Sequence, residues 1–381
     1  MLSVSLSACW PNTASSAPSS TAESAATQEK AGLRRLFHTM KTRSSKAARL
    51  EDVARLAKVS TATVSRALTL PHKVKARTLE RVQQAASTLG YVAHGAARAL
   101  ASRRTHAIGA VVPTLDNAIF ANTIQALQRT LDAAGYVLLL ASHEFDADIE
   151  ARVTRTLIER GVDGLVLLGT THHPDIYRML ESHNLPYVLT WAFDESGNRP
   201  CVGFDNRAAG MCITNHLLDL GHRRFAMISG ITAHNERAQE RLAGVRDALS
   251  ARGMALSPDA VVEKPYTHTG GREGLREVLK GGTSPTAVIC GNDVLAIGAI
   301  AECHARGLKV PGDISITGFD DMEMASLITP ALTTVRFPTE EMGVYAANHL
   351  LARLDDRAVE LRNKLPTELI VRESAAAPAP G

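Results

Sequence analysis

Clustered cysteines are missing from this sequence. Its five cysteines, Cys9, Cys201, Cys212, Cys290 and Cys303, show neither the CxxC spacing of a zinc site nor the density of a secreted disulfide scaffold. A reducing cytoplasm is therefore the expected compartment, and no metal or other cofactor is expected. No run approaches the roughly 18 to 20 apolar residues that cross a bilayer, so no membrane anchor is expected. The segment Leu6-Ser7-Ala8-Cys9 has the form of a lipoprotein processing site, but the basic n-region and the apolar core of roughly 7 to 15 residues that a signal needs are lacking. Catalytic signatures are absent too: there is no GxSxG elbow, P-loop, GxGxxG after a strand or metal-spaced His and Cys. The adjacent His172 and His173 read as surface loop, and the chain is not expected to be an enzyme. Residues 1–39 are rich in Ser, Ala and Thr without periodicity, so 1–45 is expected to be a disordered tail, with Met40 an alternative start.

What is present suits a folded protein of several parts. The 381 residues are 45% hydrophobic and 21% charged, which fits a small domain joined to a large α/β domain of two lobes. The charge is unevenly placed. Residues 41–105 carry 14 Lys and Arg against three acids, a surplus of eleven, so with an overall +3 the rest of the chain must sum to −8. A basic module on an acidic body directs the module alone toward a polyanion.

The basic module has the pattern of a helix-turn-helix. Residues 50–57 place apolar side chains at helical spacing, Lys58-Val59 interrupts them, and Ser60 is a natural N-cap for a second helix, Thr61 to Leu68. Val64 and Leu68 of that helix are expected to pack on Val53, Ala54 and Ala57, leaving Thr61, Ala62, Ser65 and Arg66 to solvent. A third helix, about Ala76 to Leu89, is expected to close the core with Val82, Ala86 and Leu89. Two short helices with an exposed polar second face fit a DNA major groove.

The run Leu-Glu-Asp-Val-Ala-Arg-Leu-Ala-Lys-Val-Ser-Thr-Ala-Thr-Val-Ser-Arg-Ala-Leu, residues 50–68, resembles the headpiece signature of the lactose/galactose repressor family, and Gly90-Tyr91 and Ala97-Arg98-Ala99-Leu100-Ala101 continue the likeness. The resemblance implies that Thr61, Ala62 and Arg66 read base edges, an Arg fork suiting guanine O6 and N7 and the methyl groups suiting thymine. Ser60, Thr63, Ser65, Lys73, Lys75 and Arg77 are expected on phosphates. Residues 46–93 would form this headpiece and 94–105 a hinge. The hinge is too short to be a stable helix alone, so it would order only on DNA. There, by the resemblance, Leu100 would wedge into the central base step in the minor groove, with Arg98 beside it.

From His106 the pattern alternates short apolar runs with amphipathic helices: Ala107 to Pro113, Ile119 to Ala134, Val137 to Ala141, Ile149 to Arg160, Gly164 to Gly169. A second series runs through Phe225–Ser229, Thr286–Cys290 and Asp313–Gly318. This βαβα order predicts two doubly wound parallel sheets, hence two lobes with a cleft between them. Ligands of open α/β sheets sit beyond the carboxyl ends of the strands, which points to Asp116 to Phe120, Trp191, Asn292-Asp293 and Asp320-Asp321.

The resemblance spans about residues 106–372. It implies a periplasmic-binding-protein-like fold crossed about three times by the chain. It also implies an effector held by Arg241, Asn292 and Asp320, with Phe120 and Tyr266 on the cleft walls. Asp320 could instead cap a helix, and Phe120 could be plain core. Trp191 is a further candidate. Arg237 and His234 would add positive charge if they face inward, favouring an acidic effector. Gly203-Phe204-Asp205-Asn206 and Asp116-Asn117 are similar to gluconate-type members, so a sugar acid or related carboxylate stands beside a neutral sugar. No leucine heptads follow residue 372, and 373–381 is expected to be a disordered tail, so a homodimer on a pseudo-palindromic operator is expected rather than a tetramer. The resemblance leaves open whether effector releases the protein from DNA or is needed for binding. The rival reading is a solute-binding protein of a transport system, which shares the two-lobed fold but needs no basic head.

Overall fold

The computed structural model describes residues 48–92, 104–116, 118–193, 195, 197–282 and 284–379. The expected N-terminal tail, most of the hinge with Arg98 and Leu100, and Asn117 lie outside the described residues. The chain divides into two compact units, parted between Ala101 and Ser102.

The first unit is three helices on a core of small apolar side chains. Helix α1 (Leu50–Ala57) ends where Lys58 turns left-handed at φ 51°, and α2 (Thr61–Thr69) begins on Ser60, whose Oγ accepts from the Thr63 N–H at 3.2 Å. That cap satisfies one of the amide groups orphaned at a helix start. Helix α3 (Ala76–Leu89) stops at Gly90, which holds φ +59°. Val53, Val64 and Val82 are fully buried and interlock with Ala54, Ala57, Ala67, Ala85 and Ala86. Leu68 packs on this core as expected, though only partly buried; Leu89, expected to help close it, is instead 36% exposed, with Ala85 and Ala86 buried on α3.

The second unit carries two six-stranded sheets. One runs in the order β11-β5-β4-β3-β1-β2, from strands β1 (Ala107–Val112), β2 (Val137–Ser142), β3 (Gly164–Leu168), β4 (Tyr187–Thr190), β5 (Cys201–Gly203) and β11 (Arg362–Lys364). The other runs β12-β10-β9-β8-β6-β7, from β6 (Phe225–Gly230), β7 (Val261–Lys264), β8 (Ala287–Cys290), β9 (Ser315–Asp320), β10 (Thr333–Arg336) and β12 (Glu368–Ile370). All strand pairs are parallel except β10 with β12. The central strands β3, β6, β8 and β9 are buried along their whole length, as a sheet covered on both faces requires.

The helices cover the sheets as βαβ units do: α4 (Ala121–Ala133), α5 (Ala147–Glu159) and α6 (Pro174–Ser182) follow β1, β2 and β3. Helix α7 (Asn206–Asp219) follows β5 but packs on α8 (Glu236–Ala251) of the second lobe, and α9 (His268–Lys280) packs on α10 (Asp293–Ala305). After the short α11 (Glu323–Leu327), helix α12 (Thr339–Leu354) returns to pack on α4. The chain thus passes between lobes three times, after β5, after β10 and between β11 and β12. Phe204 and Phe337 stack at two of these passages, their rings 4.0 Å apart.

The segment expected to trail as a tail does not. Ser374 is fully buried: its Oγ donates to the Ile316 carbonyl (2.6 Å) and accepts from the Thr333 N–H (2.9 Å), while Ile316 N donates back to its carbonyl. The Ala376 carbonyl meets His222 Nε2 at 2.9 Å. Small residues with nothing to bury still find backbone partners beside β9 and β10, a contact that composition does not signal.

Candidate functional site

In the first unit, the nine described residues expected at DNA lie along α2 and the start of α3. Thr61, Ala62, Ser65 and Arg66 are exposed on the outer face of α2, opposite the buried Val64 and Ala67. Ser60 is exposed and Thr63 half-buried, and their hydroxyls are 2.8 Å apart. Lys73, Lys75 and Arg77 are exposed around the start of α3. Among the described residues none of these four cations has an ion-pair partner, so Arg66 keeps its donors available, unlike Arg55, which pairs with Asp52 at 3.1 Å. A polar helix face flanked by unpaired cations can meet base edges and phosphates together.

In the second unit, six of the seven residues expected to hold an effector surround one narrow cleft: Phe120, Trp191, Arg237, Arg241, Tyr266 and Asn292. Its free volume of about 10 Å³ leaves room for about one water molecule. The aromatic wall is built edge to face, with Phe120 and Trp191 4.9 Å apart and Trp191 and Phe204 5.9 Å apart. Phe120 is 4% exposed and belongs to the main core as well as to the cleft, so the core and wall readings both hold for it. Trp191 sits just past β4 with φ +66°, a conformation that a bulky side chain rarely adopts.

The charged groups are held by backbone. Arg241 Nη1 donates to the Gly291 carbonyl at 2.6 Å, and its guanidinium lies 5.4 Å from the Phe319 ring centroid. Arg237 is buried and does face inward, but its Nη1 meets Glu236 Oε1 at 3.1 Å, which cancels the surplus positive charge expected from it; His234 is exposed. Gly169, at φ +104°, lets Arg237 and Glu236 approach β3 closely, since a Cβ there would strike both side chains. Asn292 caps α10 through Oδ1, 3.0 Å from the Leu295 N–H, and leaves Nδ2 over.

Asp320 is the exception. It lines a broader groove of about 920 Å³ with Arg336, Glu340 and Pro366, not the narrow cleft. It caps no helix, has φ +107°, and is 7% exposed. Burial pushes its carboxyl up to about 7, against the pull of the Arg241 charge. The neighbouring Asp293 is raised well above the carboxylate range by burial and by Asp320, while its oxygens accept from Thr334 Oγ1 (2.6 Å) and the Met322 N–H (2.8 Å).

Among the described residues, Trp191 Nε1, Tyr266 Oη, Asn292 Nδ2 and both Asp320 carboxylate oxygens are buried without a hydrogen-bond partner. Buried polar atoms are normally satisfied, so the unspent atoms of Trp191, Tyr266 and Asn292 around the cleft mark a place for a polar ligand, and those of Asp320 mark a second in the broader groove. Sequence reasoning missed Asn235 and Phe145, which also line the cleft. The positions after β2 and before α8 were the available signal. Asp116 is exposed and lines none of these spaces, and the sequence reading of His172 as surface loop is overturned: its side chain is 1% exposed, with Nδ1 2.7 Å from Glu150 Oε1.

Residues 49–94 match the model of bacterial regulatory proteins of the lacI family, and residues 214–375 match a periplasmic binding protein-like domain. The ribose operon repressor of Escherichia coli (strain K12) is 32% identical over 332 residues, covering 86% of this chain and all of that protein. Among solved structures, the transcription regulator GntR from Chromobacterium violaceum is 34% identical with a TM-score of 0.68, covering 71% of this chain and 99% of that one. The lac repressor dimer bound to operator and an anti-inducer superposes with a TM-score of 0.77 at 27% identity, covering 87% and 100%. The chain belongs to the lacI family of bacterial regulatory proteins. It is a DNA-binding transcriptional repressor under small-molecule control, and the solute-binding reading falls away. No helix among the described residues is long and apolar enough to cross a membrane.

Proposed function

We propose that this repressor acts in the cytoplasm without enzymatic activity. Arg66, Thr61 and Ala62 read a pseudo-palindromic operator, and Ser60, Thr63, Ser65, Lys73, Lys75 and Arg77 fix its register on phosphates. Residues 94–105, with Arg98 and Leu100, form the hinge between the headpiece of residues 46–93 and the effector-binding body from residue 106. The effector is a sugar or sugar derivative held by Arg241, Asn292, Tyr266, Arg237, Phe120 and Trp191 once the lobes part to widen their cleft, with Asp320 reaching it from the broader groove. A neutral, hydroxyl-rich compound fits better than a sugar acid, because Glu236 already matches Arg237 and Asp320 offers acceptors. The relationship to a ribose operon repressor supports a sugar.

The observation that carries the effector assignment is that Trp191 Nε1, Tyr266 Oη and Asn292 Nδ2, all buried and unsatisfied, line one cleft. Effector binding would change the balance between two lobe arrangements, only one of which suits the operator. The test is selection of duplexes from a random-sequence pool by the dimer at moderate salt, with and without candidate sugars. Enrichment of a pseudo-palindrome, lost in Arg66→Ala, with retention altered by a sugar in the wild type but not in Asp320→Asn, is the expected result. No enriched sequence would overturn the assignment of base-reading residues.

A further inference from the structure

Beside the effector cleft lies a second cavity of about 180 Å³, which shares Phe145 and Arg237 with it as walls. It opens between the carboxyl ends of β2 and β3 in one lobe and the start of α8 in the other. His143, Glu150, His172 and Glu236 bring polar atoms to it. Glu150 is committed: its Oε1 is 2.7 Å from His172 Nδ1, and the His172 Nε2 meets the Gly169 carbonyl at 3.1 Å. Burial would push the Glu150 carboxyl up, but the hydrogen bond and charge of His172 hold it below the usual carboxylate range. Glu236 Oε1 is likewise engaged, accepting from the Thr170 N–H (2.9 Å) and Arg237.

His143 is 8% exposed, neither ring nitrogen has a hydrogen-bond partner of good geometry among the described residues, and its closest charged neighbour is Glu150, with Nε2 and Oε1 3.9 Å apart. Burial pushes its imidazole below the usual range, so near neutral pH it presents one N–H donor and one bare acceptor. A group that both gives and takes hydrogen bonds satisfies such a ring, which describes a hydroxyl. Glu150 is matched by His172 and Glu236 by Arg237, so the walls offer no surplus positive charge to an anion. The cavity is smaller than the roughly 300 Å³ at which sites for whole ligands begin, so it suits part of a ligand.

We propose that this cavity is a second subsite of the effector site, in which His143 binds hydroxyls of the outer ring of a neutral two-ring glycoside. This rests on the reading of the adjoining cleft as the sugar site. A ligand reaching from one to the other would touch both lobes at Arg237 and His143, and so bear directly on the lobe arrangement.

The test uses the full-length dimer and titration calorimetry with D-glucose, D-galactose and D-ribose, then cellobiose, lactose and maltose, then glucose 6-phosphate. The expected result is at least one disaccharide binding tenfold or more tighter than its component rings. His143→Phe, which keeps the ring volume without the nitrogens, should erase that ratio while leaving monosaccharide binding within about twofold. Ring resonances of His143, assigned in the histidine-labelled protein by their loss in His143→Phe, should shift in the wild type with the disaccharide and not with the monosaccharide. Monosaccharide binding that is lost in Asp320→Asn, with no disaccharide advantage and a silent His143, overturns the subsite and leaves the effector site standing. Preference for glucose 6-phosphate with a shifted His143 overturns the neutral-ring assignment. Binding of none of these probes overturns both.

Discussion

The headpiece and the body carry their functional residues in opposite ways. In the headpiece Thr61, Ala62, Ser65 and Arg66 are exposed on a helix whose other face makes the core, so function and stability occupy different residues. In the body Trp191, Arg241, Asn292 and Asp320 are buried, two of them at positive φ, and several of their polar atoms lack partners. A surface that meets DNA can stay solvated until it binds. A cleft that must enclose a small ligand has to bury its polar groups beforehand, at a cost to the empty protein.

The largest effect expected to sharpen this contrast is at Asp320. Its folded carboxyl stands at about 7, above the value near 4 of an unfolded aspartate, so the proton is held more tightly in the folded state. The stability this contributes is complete below about pH 4 and is lost as pH rises toward 7. Asp320→Asn should therefore raise Tm by several degrees at pH 8 and by little at pH 4, read by calorimetric unfolding, while weakening effector binding by about 30-fold or more. An unchanged Tm at pH 8 would break the contrast.

Gly230→Ala comes next. Its Cβ would run into the Tyr266 ring, and overpacking of this kind costs about 1 to 3 kcal/mol, so denaturant unfolding should show reduced stability together with weaker effector binding. The smallest effect belongs to the headpiece. Lys75→Ala should leave Tm unchanged, weaken binding to all duplexes alike, and lower the slope of log affinity against log salt by about one. A loss of stability there would mean that the headpiece, too, uses its functional residues for folding.

The headpiece was legible because its logic is local. Ser60 caps the helix it precedes, apolar residues recur at helical spacing within each helix, and the exposed face is what remains. The alternation of strand and helix in the body was equally readable, and it pointed to Phe120, Trp191 and Asn292 beyond strand ends, whereas Arg241 and Tyr266 came from the family resemblance and Arg237 from its place beside Arg241. What escaped were features made by distant partners. His172 is buried because Glu150, 22 residues earlier, reaches it, and the Arg237–Glu236 pair lies against β3 where Gly169 leaves it space. Ser374 is buried by hydrogen bonds to β9 and β10, although nothing in an Ala- and Pro-rich terminus announces burial.

Periodicity, capping residues and charge distribution determined by themselves that there is a basic three-helix head and a body of two parallel sheets, since each of these signals acts over a few neighbouring residues. Tertiary structure decided which polar atoms remain unpaired. That Asp320 stands in the broad groove apart from the other six, and that His143 faces an open cavity without a hydrogen-bond partner, depends on how two sheets meet across three passages of the chain. Hydrogen bonds between residues remote in sequence follow from that packing, and no local pattern encodes them.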